Sequence, residues 1–351
     1  MTRILSSDIL IADVVVSASN QPDLQELIQL FSLRPGGKKA INNAQHQRFG
    51  EAISHRFCHI FPGGSSANVL VTLARLLEGS TQIDFIGVHG DSPADDMIRR
   101  SFEEVGIRLF PQPMPPGAES ATSYVLLLED GGRTIATFPG NARQYLTAGV
   151  IDPELVRRAD VVFLQGSLWS KMEPDYADRL LSLTLAEGKR LWLALPTYSM
   201  PDGEHVNIFR HLIAHAELVL GNDEELARIF RMTSDDAIHA LSGQLTAGQS
   251  AFITRAVQGA VVLHEGKVSV APARPVAPAA IQSTLGAGDT AFAGFMAGMM
   301  FGLAAEQCAE LAMVLAAEKL KVQQARLPSP KEALKQASPA LYSGLYHGLD
   351  S

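Results

Sequence analysis

One run of residues, Ser283-Thr284-Leu285-Gly286-Ala287-Gly288-Asp289-Thr290, holds the parts needed to bind an anion and to accept a proton. The glycines let the backbone approach an anion closely, and successive N–H groups opening an apolar helical stretch present the positive end of a helix dipole. Asp289 follows directly, as a carboxylate able to take a proton. Cradle and base together suit phosphoryl transfer to a hydroxyl, in which positioning and charge stabilisation carry most of the catalysis. Gly286, Gly288 and Ala291 also satisfy the loose G-x-G-x-x-A pattern of a dinucleotide-binding turn. That turn should link two strands through a helix. Here it follows a Pro/Ala-rich linker at 271–280 and precedes two helical runs, which argues against a nicotinamide oxidoreductase.

Four further places pair a chemical reading with an ordinary one. Gly63-Gly64-Ser65-Ser66-Ala67-Asn68 opens a second helix, where the bare backbone can close on a substrate and Asn68 can donate to and accept from a hydroxyl; capping by Ser65 explains the pattern equally well. Asn222-Asp223-Glu224-Glu225 is a capping box, or a place where Glu225 approaches a hydrated Mg²⁺. Asp13 interrupts an apolar strand, so it emerges at the strand's end, pairs with an arginine or lysine, or accepts from two adjacent hydroxyls of a polyol. Arg133, just after a turn, is either solvated or able to reach a transferring phosphate.

These residues need a scaffold that brings them to one face. Ile9 to Val16 reads as a first strand and Leu24 to Phe31 as a helix, while Lys38 to His55 is poorly patterned. Leu70, Leu73, Ala74 and Leu77 mark one face of a helix from Ser65; a strand at 82–88 and a helix at 94–105 follow. Two β-rich runs, Ser123 to Leu128 and Arg133 to Phe138, flank Glu129-Asp130-Gly131-Gly132, a hairpin turn signal. Strand and helix then alternate from Asp152 to Leu263, ahead of the linker and two apolar helices. The alternation predicts an α/β fold with a doubly wound, mostly parallel sheet flanked by helices, with ligands beyond the strands' carboxyl ends. The whole chain, 1–351, reads as a single domain, with a small β lid formed from parts of 14–62 and 118–140.

With 351 residues, 46% of them hydrophobic, the chain can fill such a core. A net charge of -8 without a long basic cluster argues against a nucleic-acid or anionic-membrane surface and favours a small-molecule partner. Thr290 to Ala305 is uncharged but too short to span a bilayer. Cys58 and Cys308 lack metal-site spacing, and no secretory leader pattern is present, so a cytoplasmic location is expected, as a monomer or homodimer.

The three ordered motifs resemble those of the ribokinase or PfkB-type carbohydrate kinases: Ser283 to Asp289 is similar to D-T-x-G-A-G-D, Gly63 to Asn68 to G-G-x-x-x-N, and Asn222 to Glu225 to N-x-x-E. Leu24 to Ile41, with Ser32-Leu33-Arg34-Pro35-Gly36, and Gly132-Arg133-Thr134-Ile135 followed by Pro139-Gly140-Asn141 resemble the adenosine kinase-like branch. The resemblance, over roughly residues 8–345, implies a ribokinase-like fold and an ATP- and Mg²⁺-dependent kinase acting on a primary hydroxyl of an adenosine-like nucleoside or of a free sugar such as ribose or a ketose. It implies Asp289 as base, N–H groups of Gly286, Ala287 and Gly288 as anion hole, and Arg133 assisting from the lid. Asp13, Gly63, Gly64 and Asn68 would hold the acceptor, Asn222, Thr254 and Gly259 the nucleotide, and Glu225 the Mg²⁺ through water. Three positions depart from the pattern. Ser283 stands where an aspartate linked to a monovalent-cation site is usual, which argues against potassium activation; Ala256 replaces the first glycine of T-x-G-x-x-G; and Leu193-Ala194-Leu195-Pro196 lacks the asparagine often seen at that strand end in adenosine kinases. Ser283 and Ala256 also motivate a competing reading, a nucleotide- or sugar-binding homologue without catalysis.

Overall fold

The computed structural model describes residues 1–346 apart from 18–23, 57, 91, 116–120, 129–131, 142–143, 172–173 and 197–203. Short runs of β-branched, aromatic and leucine residues set its centre: Val161–Gln165, Arg190–Ala194 and Leu218–Asn222 are buried nearly throughout, as strands covered on both faces must be. In chain order the strands are β1 (Thr2–Ile9), β2 (Ile11–Ser17), β3 (Lys38–Ala40), β4 (His59–Pro62), β5 (Thr81–His89), β6 (Arg108–Pro113) and β7 (Ala121–Leu127). Then come β8 (Arg133–Phe138), β9 (Val161–Gln165), β10 (Arg190–Ala194), β11 (Leu218–Asn222), β12 (Ser250–Thr254), β13 (Ala260–His264) and β14 (Lys267–Ala271).

The main sheet has nine strands in the order β14-β13-β12-β11-β10-β9-β1-β5-β6. All neighbours pair in parallel except β12 with β13 and β13 with β14. Alternate residues enter two cores: Trp192 packs with the helices Ser65–Leu77, Ala287–Met300 and Ala305–Leu320, while Leu191 and Leu193 pack with Pro174–Ala186 and Glu204–His215 on the other face. This is the α/β, doubly wound, mostly parallel architecture that the alternation predicts. Among the described residues no helix is long and apolar enough to cross a membrane.

A second sheet, β3-β8-β7-β2-β4, draws its strands from 11–62 and 121–138, close to the segments expected to build the lid. The expected hairpin is its β7–β8 pair; Glu129 to Gly131 of its turn lie outside the described residues.

The strand expected at Ile9 to Val16 is divided between two sheets. Its start ends β1 and its remainder, with Asp13, is β2 in the smaller sheet. The polar run Ser6-Ser7-Asp8 disguises β1, yet all three side chains are buried and bonded: Ser6 Oγ donates to Phe163 O at 2.8 Å, Ser7 Oγ to Ile86 O at 2.9 Å, and Asp8 Oδ2 accepts from Ser66 Oγ at 2.9 Å. The poorly patterned stretch contains β3 and a helix, Asn43–Ile53, started by an Asn42/Gln45 capping box. β14, unexpected from the sequence, precedes the expected linker and ends on its first residue, Ala271.

Candidate active site

The carboxyl ends of β1, β9, β11 and β12 open toward the second sheet, and a cavity of about 340 Å³ lies between them, with Ile9, Gln165, Asn222 and Thr254 on one wall and Lys38, Ser123 and Ile135 on the other. A larger cavity of about 470 Å³ opens behind Arg326 but contains none of the residues expected to do chemistry.

Asp289 stands in the first turn of Ala287–Met300, facing the first turn of Ser65–Leu77 across the cavity floor. Asn68 Nδ2 donates to Asp289 Oδ2 at 3.0 Å, and Asn68 Oδ1 accepts from Arg326 Nε at 2.9 Å. Arg326, almost fully buried, also donates to Ser101 Oγ at 2.8 Å and to Gly63 O at 3.3 Å. One guanidinium therefore fixes the amide that orients the carboxylate. Burial raises the Asp289 pKa above the ordinary aspartate range, opposed by the Asn68 hydrogen bond and by the charges of Lys38 and Arg133. A carboxylate so placed is a stronger proton acceptor than one in water.

The glycines are required by contact. A Cβ at Gly63 would lie 2.3–2.4 Å from the Asp13 carboxylate, and one at Gly286 only 1.9 Å from Ala325 O. Gly64 and Gly286 also adopt positive φ, +87° and +75°, as they open their helices. Gly286 and Gly288 line the cavity. The Ala287 N–H points instead to Thr284 O at 3.3 Å, so it joins a cradle only by giving up that long bond. Arg133 reaches from β8 to donate to Thr284 Oγ1 at 2.6 Å; burial lowers its pKa and Asp289 counteracts this.

Asn222 and Glu225 form the capping box: Glu225 N donates to Asn222 Oδ1 at 2.8 Å and Asn222 N to Glu225 Oε2 at 3.0 Å. Both also line the cavity, so the capping and cavity-facing roles coexist. Burial pushes Glu225 up to about 8, reinforced by nearby Asp289 and opposed by the Asn222 N–H, Lys38 and Arg228. Among the described residues no cluster of three or more acidic, histidine or cysteine groups could cage a metal. A single carboxylate beside an anion cradle fits Mg²⁺, which keeps its waters and leans on substrate phosphates.

A buried acid whose folded pKa is raised stabilises the fold below its unfolded pKa, and this stability is lost as pH rises through the folded value. Glu225→Gln keeps the capping box but cannot ionise. The variant should therefore gain stability relative to wild type between pH 4.5 and about 8. We expect a gain on the order of 1–4 kcal/mol. Urea midpoints at the two ends of that window check it; parallel pH profiles would refute it.

At the end of β12, Thr254 Oγ1 donates to Gly221 O at 3.3 Å. Ala256 takes φ +45°, the left-handed conformation in which a glycine would be at ease, at a strain of about 1 kcal/mol. Gly259, at φ +91°, packs so tightly that a Cβ would meet Ala271 O at 2.1 Å.

The fold thus gathers Asp13, Gly64, Asn68, Arg133, Glu225 and Asp289 at one cavity, together with Asn222, Thr254, Gly286 and Gly288. Gly63 lies behind Asp13, while Ala287 and Gly259 shape turns rather than line the cavity. Sequence reasoning missed Lys38, Gln165, Lys319 and Arg326. Lys319 is fully buried beneath the cradle, and burial and Arg133 push it down to about 7, opposed by Asp289. A lysine late in an apolar helical run was the available signal.

The chain is 30% identical to a cytidine kinase of Thermococcus kodakarensis over 146 residues, 41% of this chain and 51% of that protein. It is 31% identical to fructokinase-1 of Zea mays over 127 residues, 36% of this chain and 38% of that protein. It thus spans about half or less of the length of these curated relatives. In three dimensions it is similar to adenosine kinase from Schistosoma mansoni in complex with 2-fluoroadenosine, with a TM-score of 0.80, 17% identity and coverage of 94% of this chain and 98% of that one. The fold is the α/β ribokinase-like one. Residues 39–332 match the model of the pfkB family carbohydrate kinases, and the chain belongs to that family.

Proposed function

We propose that the chain transfers the γ-phosphoryl group of ATP to a primary hydroxyl of a nucleoside, adenosine-like rather than a free sugar. The observation that carries the reading is the Asp289 carboxylate held by Asn68 beside the glycine turn at 286–288, across from Gly64 and Asp13. The acceptor hydroxyl gives its proton to Asp289 as its oxygen bonds to the γ-phosphorus, and the bond from that phosphorus to the β,γ-bridging oxygen breaks, releasing ADP. The first-turn amides at Gly286 and Gly288, with Arg133, face the charge on the moving phosphoryl group. Asp13 and Asn68 hold the acceptor hydroxyls, and Asn222 and Thr254 border the nucleotide. Glu225 would hold Mg²⁺ through water, and the ion would supply positive charge to balance that of the phosphates. Closure of the second sheet as a lid excludes water from the reaction.

The cavity walls favour a nucleoside. Ile9, Ile11, Ile135 and Leu195 offer apolar surface to the face of a base, and Gln165, buried at the end of β9, offers an amide to its edge. The relatives include both a cytidine kinase and fructokinases, so base and bare sugar must be separated by measurement. ADP release with Mg-ATP should be compared across adenosine, inosine, cytidine, ribose and fructose. We expect kcat/KM for the best nucleoside to exceed that of either sugar by at least about 10-fold, since binding of the base adds transition-state affinity. Turnover of fructose or ribose with none of any nucleoside would reassign the acceptor, and tight binding without any ADP release would leave a binding protein.

A further inference from the structure

Lys319 lies in the last turn of Ala305–Leu320 and is 0% exposed. Its Nζ donates to Val322 O at 3.0 Å and to Ser283 O at 3.3 Å. The two carbonyls belong to two backbone segments that meet beneath the glycine cradle: Gln282 N and Ser283 N donate to Leu320 O at 2.8 and 3.3 Å, and Gly286 abuts Ala325 O. Arg133 and Asp289 lie near enough to act on the ammonium electrostatically. Protonated, the Lys319 side chain is a positive charge held by backbone carbonyls, the way proteins hold a dehydrated potassium ion, and Asp289 favours that charged form against burial and Arg133.

A free monovalent cation does not fit here. The ammonium already occupies both carbonyls, and a second cation beside it and Arg133 would be repelled. At the position where the family resemblance leads one to expect an aspartate, Ser283 is fully buried and its Oγ accepts from Leu285 N at 3.0 Å. Ser283 thus shapes the loop without adding a negative charge that a cation would need to balance.

We propose that the Lys319 ammonium is a built-in monovalent cation, pinning 282–286 to 320–325 and fixing a positive charge beneath the cradle, so that phosphoryl transfer needs no alkali-metal ion. The inference rests on the kinase reading for its effect on rate. Lys319 is a positioning residue, since it touches the loop and not the substrate.

The test compares wild type, Lys319→Met and Ser283→Asp/Lys319→Met in choline, potassium and ammonium chlorides at equal ionic strength, reading thermal unfolding midpoint and ADP release. Wild-type rate and midpoint should be the same in all three salts. In choline, Lys319→Met should lose about 100-fold in kcat with little change in acceptor KM, as when one fixed positive element of an anion hole is lost. Potassium or ammonium should restore at least about 10-fold of it and raise the midpoint, because ligand binding stabilises the fold. The double variant, with a carboxylate regained and the ammonium gone, should respond to potassium at least as strongly. If Lys319→Met does not fold, Lys319→Gln carries the same comparison. Potassium activation of wild type, full turnover of Lys319→Met in choline, or no potassium response of rate or midpoint in either variant would overturn the proposal. If wild type releases no ADP with any acceptor, the kinase reading fails while the midpoints still decide the cation question.

Discussion

Asp289→Asn should lower kcat by at least about 1,000-fold while leaving fold and nucleotide binding in place. The asparagine Oδ1 can still accept from Asn68 Nδ2, so the 3.0 Å link across the cavity floor survives, and only the ability to take a proton is lost. Because burial disfavours the carboxylate, exchanging it for a neutral amide should not lower the unfolding midpoint. Asp289→Ala is the contrasting variant: it also orphans the Asn68 amide and should be less stable than Asp289→Asn. The wild-type pH profile gives an independent check. A base must be deprotonated, so activity falls as pH drops through the Asp289 pKa, which is raised; the acid limb should lie above the ordinary aspartate value of 3.8. Lys38→Ala, by removing a charge that favours the carboxylate, should move that limb to higher pH. Comparable turnover in Asp289→Asn would assign the proton to another group.

The motifs were legible because each is contiguous. The turns at 63–68, 222–225 and 283–289 carry their glycines, caps and carboxylates within a few residues, and local backbone chemistry needs no knowledge of the partner segment. The strands that sequence patterning missed, β3, β4, β6 and β14, are the four edges of the two sheets. An edge strand buries little and tolerates prolines such as Pro111, so its apolar signal is weak. β1 was missed for the opposite reason, since its buried serines and aspartate find partners in distant segments, among them β5, β9, Tyr176 and the Ser65–Leu77 helix. Lys319 and Arg326 belong to no motif. Arg326 lies 258 positions from Asn68, and nothing local announces the pairing.

That long-range pairing supports the second large effect, in Arg326→Met. The substitution leaves Asn68 Oδ1, Ser101 Oγ and Gly63 O without their donor and removes the positive charge that acts on Asp13. Breaking such a buried network by deleting one charged partner costs about 3–5 kcal/mol, and we expect a fall of that size in unfolding free energy. Function should suffer separately, because Asn68 is then free to rotate away from Asp289 and the Gly63 turn to shift against Asp13. Misplacement on that scale lowers kcat/KM by about 100-fold even in the fraction that remains folded. Arg326→Lys should fall between, since an ammonium keeps the charge but cannot present the planar fork that reaches three acceptors. Asp13→Asn in the same chain distinguishes charge from geometry. If the lost stability arises from the Asp13 carboxylate left unbalanced, the double variant recovers part of it; if the two losses simply add, the arginine serves only as a hydrogen-bond hub, and the electrostatic half of the argument is wrong.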